Sequence, residues 1–418
     1  MAKATQGKQY IVVEGDTLSG IAAQAYGNGR KWRLIWRANQ TVLRSGNPEL
    51  IFPGEVITIP TDPELAALEN SLAVDLVGKD PDAFTFEIEG TEVPVEGASL
   101  MRTMDTVADG FAASLQWSPS DLELTELIRP YGYQAVKCYL GGRKRFTGVL
   151  YSVNPSSGSG GVVVALEGAS AAADIVDSTV RPPYESKKIT LKDRATELIE
   201  PLGIPIVYDF DDNEIFDQVT ARATDKIFQH LAGLATQRAV LISSTVDGEV
   251  IFYQAKTTGA PVGTLEEGKP PVRDSAAKFD GRQRFNVYKA IANSPNRKRK
   301  TATAKDTAIP KSRFLTFSAE DSTAGNIQAA ADWRRSKQVA DALTMEIPVD
   351  SWYSPNGELW SENTLVTYKA PSLFIPDGFD FIIRRVEFNF EKNGTTATLS
   401  IVPPNVFTGE PIGEPWRR

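Results

Sequence analysis

The sequence predicts an α+β, mainly β protein: a short N-terminal βααβ module, then two β modules of related build with a small α/β domain between them. Three observations lead there. Apolar and polar residues alternate beyond residue 80, as in Phe84, Phe86 and Ile88 against Thr85, Glu87 and Glu89, giving strands one dry and one wet face. Two long hairpin patterns, FTGVLYSV with VVVALEG and FIIRRVEFNF with TTATLSIV, share a design without sharing a sequence, which suggests a repeated unit. Between them, Leu191, Ala195, Leu198, Ile199 and Leu202 fall at helical spacing.

The chain has 418 residues, and at roughly 100 to 200 residues per domain several cores are expected. Formal net charge is −8, so general affinity for nucleic acid or anionic lipid is not expected. The single cysteine, Cys138, cannot close a disulfide within the chain, and the single histidine, His230, leaves zinc sites and Ser-His-Asp catalysis short of ligands and bases. No cofactor or metal is expected. Met1 to Lys8 is polar and no run of about 18 apolar residues occurs. Synthesis in the cytosol and no membrane span are the expectations.

In the first sixty residues Tyr10, Ile11, Val12 and Val13 form a β-prone run that stops at Glu14-Gly15. Asp16 or Thr17 then caps a helix carrying Leu18, Ile21, Ala22 and Ala25 on one face. Gly27 and Gly29 break it, a second helical stretch holds Trp32, Ile35 and Trp36 and ends near Asn39, and Pro53-Gly54 turns the chain into the strand Val56-Ile57-Thr58-Ile59. Residues 61–70 read as a linker or bracing helix.

Farther on, Phe111, Ala113, Leu115 and Trp117 alternate as a strand, although Met104, Ala108 and Phe111 also suit a short helix. Val136, Cys138 and Leu140 share a strand face that runs into the turn Gly141-Gly142, which makes Cys138 a core thiol rather than a nucleophile. The first long hairpin turns at residues 156–161, the second at Asn393-Gly394, a pair that tolerates the positive φ angles of a type I′ turn. Because open sheets leave hazardous edges, the hairpins are expected to belong to two closed or nearly closed barrels. In the α/β domain Thr190 and Asp193 resemble a capping box and Gly203 closes the helix; residues 204–208 form a strand, and a second helix starts at Thr224 with Ile227, Phe228, Leu231, Leu234 and Ala235 inward and His230 beside them. A hairpin turning at Asp247-Gly248 completes the domain.

Arg297, Lys298, Arg299 and Lys300, followed by Lys305, Lys311 and Arg313, form the most basic stretch. Lacking interleaved aromatics before Phe314, it reads as a solvated loop or as a contact for an acidic partner rather than a nucleic-acid platform. Asp209, Asp211, Asp212 and Glu214 lack the spacing and glycine of a calcium loop and read as an exposed acidic turn. Trp352 and Trp360 flank the turn Ser354-Pro355-Asn356-Gly357 and read as packing residues. No catalytic pair stands out.

Two resemblances add to this reading. The segments YIVVEGDTLSGIAAQAYG, WRLIWRANQ and LIFPGEVITIP resemble a LysM domain along its whole length. Family members often bind N-acetylglucosamine polymers in a groove, here lined by Gly15, Asp16, Thr17 and Leu18 on one side and Pro48, Leu50 and Ile51 on the other; the same module also serves as a protein docking block, which the rest of the chain favours. The order of VKCYLGGRKRFTGVLYSV, VALEGASAAADIVDSTV, IFQHLAGLATQRAVLI, AADWRRSKQVADAL, VDSWYSPNGELWSENTLVTYKAP and the final hairpin resembles the baseplate hub proteins of contractile phage tails, the Mu-type and late control protein D group, over residues 72–407. That resemblance implies two tube-protein-like barrels, domains at 1–62, 63–180, 181–258 and 259–418, and a non-enzymatic homotrimer. Its implied partners are the tail tube protein, the central spike, baseplate wedge or sheath-initiating proteins and the tape measure protein. It would sit in the virion tail baseplate after assembly in the host cytoplasm. A tailocin or other contractile injection system would use the same hub. The rival class is a LysM-bearing, peptidoglycan-binding cell-wall protein or muramidase, against which stand the lone His, the lone Cys and the missing hydrolase motif.

Overall fold

The structure, a computed structural model, describes residues 7–13, 15–26, 35, 38–39, 43, 51–61, 80–211, 214–292, 299–319, 324–391, 394–408 and 414–416. The chain divides into two compact units, Met1–Asp80 and Pro81–Arg418.

In the first unit β1 (Gln9–Ile11) pairs antiparallel with β2 (Val56–Thr58), and α1 (Leu18–Tyr26) lies between them in sequence. Tyr10, Val12, Leu18, Ile21, Ala22, Ile35, Ile57 and Ile59 form its core. Asn39 is buried and fully used: Nδ2 donates to the Ile35 and Thr58 carbonyls at 2.7 and 2.8 Å, while Oδ1 accepts from the Thr58 N–H at 2.8 Å. That ties the second helical stretch, helical at Ile35, Ala38 and Asn39, to β2. Trp32, Trp36 and the expected bracing helix lie outside the described residues.

The second unit opens with β3 (Phe84–Ile88), β4 (Thr91–Glu92), β5 (Gly97–Thr103), β6 (Gly110–Trp117), α2 (Leu122–Leu127), β7 (Ala135–Leu140), β8 (Arg143–Gly158) and β9 (Gly161–Ser170). The strands pair in the order β5-β6-β9-β8-β7-β3-β4, all antiparallel. Residues 104–111 are not a helix. Phe111 is in β6, and its ring packs on Phe86 and Phe146 with centroids 5.3 and 5.5 Å apart. Asp121 starts α2 by accepting the Leu124 N–H at 3.0 Å.

The small α/β domain follows α3 (Asp174–Asp177) and contains β10 (Glu185–Ile189), α4 (Leu191–Ile199), β11 (Ile206–Asp209), β12 (Phe216–Thr220), α5 (Ile227–Thr236), β13 (Leu241–Ser244) and β14 (Val250–Tyr253). Strand β14 lies between β11, parallel to it, and β13, antiparallel; β10 and β12 pair separately. Thr190 caps α4 as the sequence predicts, accepting the Asp193 N–H at 3.1 Å. Helix α5 starts later than Thr224, because Asp225 folds back to accept the Arg222 N–H at 2.7 Å.

The last part runs β15 (Thr264–Glu266), β16 (Ala276–Phe279), β17 (Val287–Ala292), β18 (Lys300–Lys305), β19 (Phe314–Ser318), α6 (Ala324–Ala342), β20 (Leu343–Val349), β21 (Leu365–Ala370), β22 (Ile375–Glu391) and β23 (Gly394–Val402). Strands β17–β19 form their own sheet, and its Tyr288, Ala290, Ala292 and Ala304 pack with Ile327 and Ala331 of α6. The expected basic loop is therefore partly a strand. Ala302 and Ala304 turn inward while Lys300, Thr301, Thr303 and Lys305 face water, so the alternation that makes β18 was masked by its charge.

The mainly β class is as predicted, but the pairing among the described residues closes no barrel. The two modules instead share one 13-stranded sheet, because β5 at the rim of the first pairs with β22 of the second, from Thr103 opposite Arg385 to Ala98 opposite Phe390. The joint covers the free edge of β5 with β22 and so removes one of the hazards that closure would have removed. The second module runs β16-β20-β23-β22-β21-β15. Strand for strand and in the same chain order, it repeats β5-β6-β9-β8-β7-β3. The register repeats too. Gly158 opposite Gly161 and Glu391 opposite Gly394 end the two long hairpins, and each ladder slips at the same distance from its tip, at Tyr151 and at Arg384. The neighbouring ladders slip just after Cys138 opposite Phe146 and just after Tyr368 opposite Phe379. One pairing differs: β3 is antiparallel to β7, whereas β15 is parallel to β21.

Candidate functional site

The joint between the modules carries the densest buried polar chemistry. Arg102, on β5, is 3 % exposed and reaches three parts of the fold. Its Nη2 donates to Glu362 Oε1 at 2.7 Å and to the Ser244 carbonyl at 2.9 Å, and its Nη1 stands 3.2 Å from Asp109 Oδ2. Asp109 is fully buried and also accepts from the Thr103 N–H at 2.7 Å and the Ser244 hydroxyl at 2.6 Å. Glu362 Oε2 lies 3.6 Å from Arg145 Nη2, and Arg145 donates to the Trp360 carbonyl at 3.2 Å. Ser243 and Tyr253 of the α/β domain donate to the Thr103 and Met104 carbonyls, both at 2.6 Å. First module, α/β domain and second module are thus pinned at one point.

Burial pushes the Asp109 carboxyl up to about 6, against the pull of Arg102 and its hydrogen bonds. Burial also raises Glu362, but Arg102 and Arg145 outweigh it and hold that carboxyl below its usual range. A buried guanidinium flanked by two carboxylates clamps parts together; nothing in it resembles a nucleophile with a base.

The sequence-predicted residues are scattered. In the first unit Asp16 Oδ2 accepts from the Tyr10 hydroxyl and the Val13 N–H, both at 2.9 Å, and Thr17 Oγ1 accepts from the Gly20 N–H at 3.1 Å. These groups shape the turn after β1, where Gly15 takes a φ of 88°. Leu18 is buried and Ile51 packs partly buried on the same core. Pro48 and Leu50 lie outside the described residues, as do Arg297 and Lys298. Arg299 and Lys300 are exposed at the start of β18.

Cys138 is buried, and burial raises its thiol far out of the reactive range. His230 is 4 % exposed and accepts from Arg194 Nε at 3.4 Å; burial and that guanidinium lower it to about 4, so it stays neutral. The Trp352 indole N–H donates to the Asn389 and Thr396 carbonyls at 3.2 and 3.1 Å, and that of Trp360 to Ser351 at 3.1 Å. Both are core residues, as expected. No cluster of metal-ligating side chains occurs among the described residues, and no described helix is long and apolar enough to cross a membrane. Missed by the sequence were the ionic joint and a cleft of about 440 Å³ lined by Phe228, Gln237, Phe317, Trp333 and Arg334.

Three family models match. Residues 10–60 match the LysM domain, residues 172–254 the second domain of the baseplate hub protein gp44-like family, and residues 323–410 the fourth domain of the Mu phage baseplate assembly protein GpP. The baseplate hub protein gp44 of Escherichia phage Mu is 24% identical over 327 residues, 74% of this chain and 84% of its own length. The chain is similar to Mu-type baseplate hub proteins and carries a match to the LysM domain at residues 10–60. The chain shares its fold, over 77% of its length, with 98% of a 43 kDa tail protein of prophage MuSo2 from Shewanella oneidensis, at a TM-score of 0.66 and 23% identity. A tail protein from Neisseria meningitidis MC58 gives 0.68 and 19% over 78% and 98%.

Proposed function

We propose that three copies of this hub form a ring that joins the tail tube to the central spike and leaves a channel for the tape measure protein and then DNA. The observation that carries the reading is the repeated sheet: six strands occur twice per chain in one chain order, and the two long hairpins share one register. A threefold assembly of such chains offers six like modules to a hexameric tube on one side and true threefold symmetry to a trimeric spike on the other. The role is mechanical and non-enzymatic. A hub stays rigid while its surroundings rearrange, and a buried ionic joint between modules supplies that rigidity.

The LysM unit serves in this reading as a docking block for a neighbouring baseplate component, through the turn of Gly15, Asp16, Thr17 and Leu18 with Pro48, Leu50 and Ile51. Arg297, Lys298, Arg299 and Lys300 offer a second contact, for an acidic partner. The hub works in the virion tail baseplate after assembly in the host cytoplasm.

The test is the mass of the purified chain in solution, alone and mixed with the spike protein. A species of three times 45.6 kDa is expected in at least one of the two; a monomer in both contradicts the ring. A turbidity assay on cell walls separates the hub from a muramidase, with no clearing expected.

A further inference from the structure

Helices α5 and α6 and the end of β19 enclose the cleft of about 440 Å³, which is the size of a small-ligand site and which the ring does not use. Phe228, Phe317 and Trp333 line it beside two cations, Arg334 and Lys337. The Arg334 guanidinium lies over the Phe317 ring, 5.6 Å from its centroid, and the Lys337 ammonium lies 5.5 Å from the centroid of Trp333. Asp105 is the one carboxylate among the described lining residues, and it is bound to Arg384 at 2.7 Å. Two positive charges thus face the cleft with no lining carboxylate free to answer them.

Its walls also carry polar atoms that lack partners. The indole N–H of Trp333 and the Nε–H of Arg334 are buried donors without an acceptor, and Oε1 of Gln237, a residue 5 % exposed, is a buried acceptor without a donor. Each such atom costs free energy that a hydrogen bond recovers. Donors beside cations call for a carboxylate, and an acceptor beside them calls for an N–H.

We propose that the cleft binds the C-terminal end of a partner protein whose last residue is aromatic or large and aliphatic. The terminal carboxylate accepts from Trp333 and Arg334 with Lys337 nearby, the last peptide N–H donates to Gln237, and the last side chain packs against Phe228 and Phe317. A chain end supplies all three groups from a single residue, which suits so small a volume. The unpartnered atoms are covered as the cleft stands, so seating the chain end requires side-chain turns at Trp333 and Gln237, the kind of adjustment that binding commonly brings.

Calorimetric titration of the full-length protein with acetyl-leucyl-phenylalanine, its carboxylate free, tests this beside three comparison probes: the same peptide as its amide, acetyl-glutamyl-phenylalanine amide, and adenosine monophosphate. The acid is expected to bind at least about tenfold more tightly than its amide, and Arg334→Gln to weaken it by about tenfold, the loss of one charge-assisted hydrogen bond. Lys337→Gln, at a half-buried position, is expected to weaken it in the same direction and decides the matter should Arg334→Gln fail to fold. No binding of the acid at millimolar concentration, or equal binding of acid and amide, overturns the proposal. So does binding that neither substitution changes, which places the peptide elsewhere. Equal or tighter binding of the glutamyl peptide overturns the chain end in favour of an internal acidic segment, and binding of adenosine monophosphate alone overturns it in favour of a nucleotide.

Discussion

Glu362 answers to Arg102 and Arg145, two cations that sit in the other β module. Replacing a buried partner leaves an uncompensated charge, so Glu362→Gln is expected to destabilise the hub unit by about 3–5 kcal/mol. Chemical denaturation of the full chain, followed at a hub tryptophan, checks it; a loss under about 1 kcal/mol on the same scale contradicts it. Asp109 gives a pH signature. Its carboxyl titrates near 6 in the fold, above its unfolded value, so its stabilising contribution is full below about pH 4 and is lost as pH rises through 6. The advantage of the wild type over Asp109→Asn is therefore expected to be larger near pH 4.5 than near pH 7.5, and a gap that widens with pH would contradict the assignment. None of this cluster was legible in the sequence. Arg102 and Glu362 stand 260 residues apart, and a charge that will be buried looks like any other charge until the fold brings its partner. Cys138, by contrast, could be read as a core thiol from the apolar strand face it shares with Val136 and Leu140.

Elements whose two faces differ in polarity were the easiest to foresee. Strands β3, β6 and β7, the two long hairpins and helix α4 with its Thr190 cap all follow from alternation or helical spacing. Strand β18 looks like loop in the sequence because its outward residues are Lys and Thr. The start of α5 shifted because Asp225 closes a turn first. Closeness of backbones is another thing that periodicity does not report. A Cβ on Gly168 would stand 2.1 Å from the Val149 carbonyl oxygen and 2.4 Å from the Phe111 ring, and one on Gly148 would stand 2.2 Å from the Ala169 oxygen. The β8–β9 ladder thus needs glycine at this crossing. Gly168→Ala is expected to cost about 1–3 kcal/mol by overpacking, read as a lowered unfolding midpoint. Gly160→Ala at the hairpin tip, where nothing stands within 4 Å, is expected to leave that midpoint in place. Equal midpoints for the two variants would contradict the packing argument.

At the scale of the molecule, the repeat was legible as a pattern of hairpins but its joining was not. Alternation marks which faces are buried and is silent on which edges meet, so barrels closed on themselves and barrels opened into a shared sheet look alike in sequence. The structure takes the second course through β5 and β22, and an open sheet repeated in register is what a ring of modules requires. The claim on which the function rests is that the two modules are interchangeable around a hollow axis. End-on electron-microscope averages of the purified hub, alone or on its spike, test it most directly. Six similar lobes from three chains around a central hole are predicted. Three lobes only, or a particle with no hole, would contradict the account.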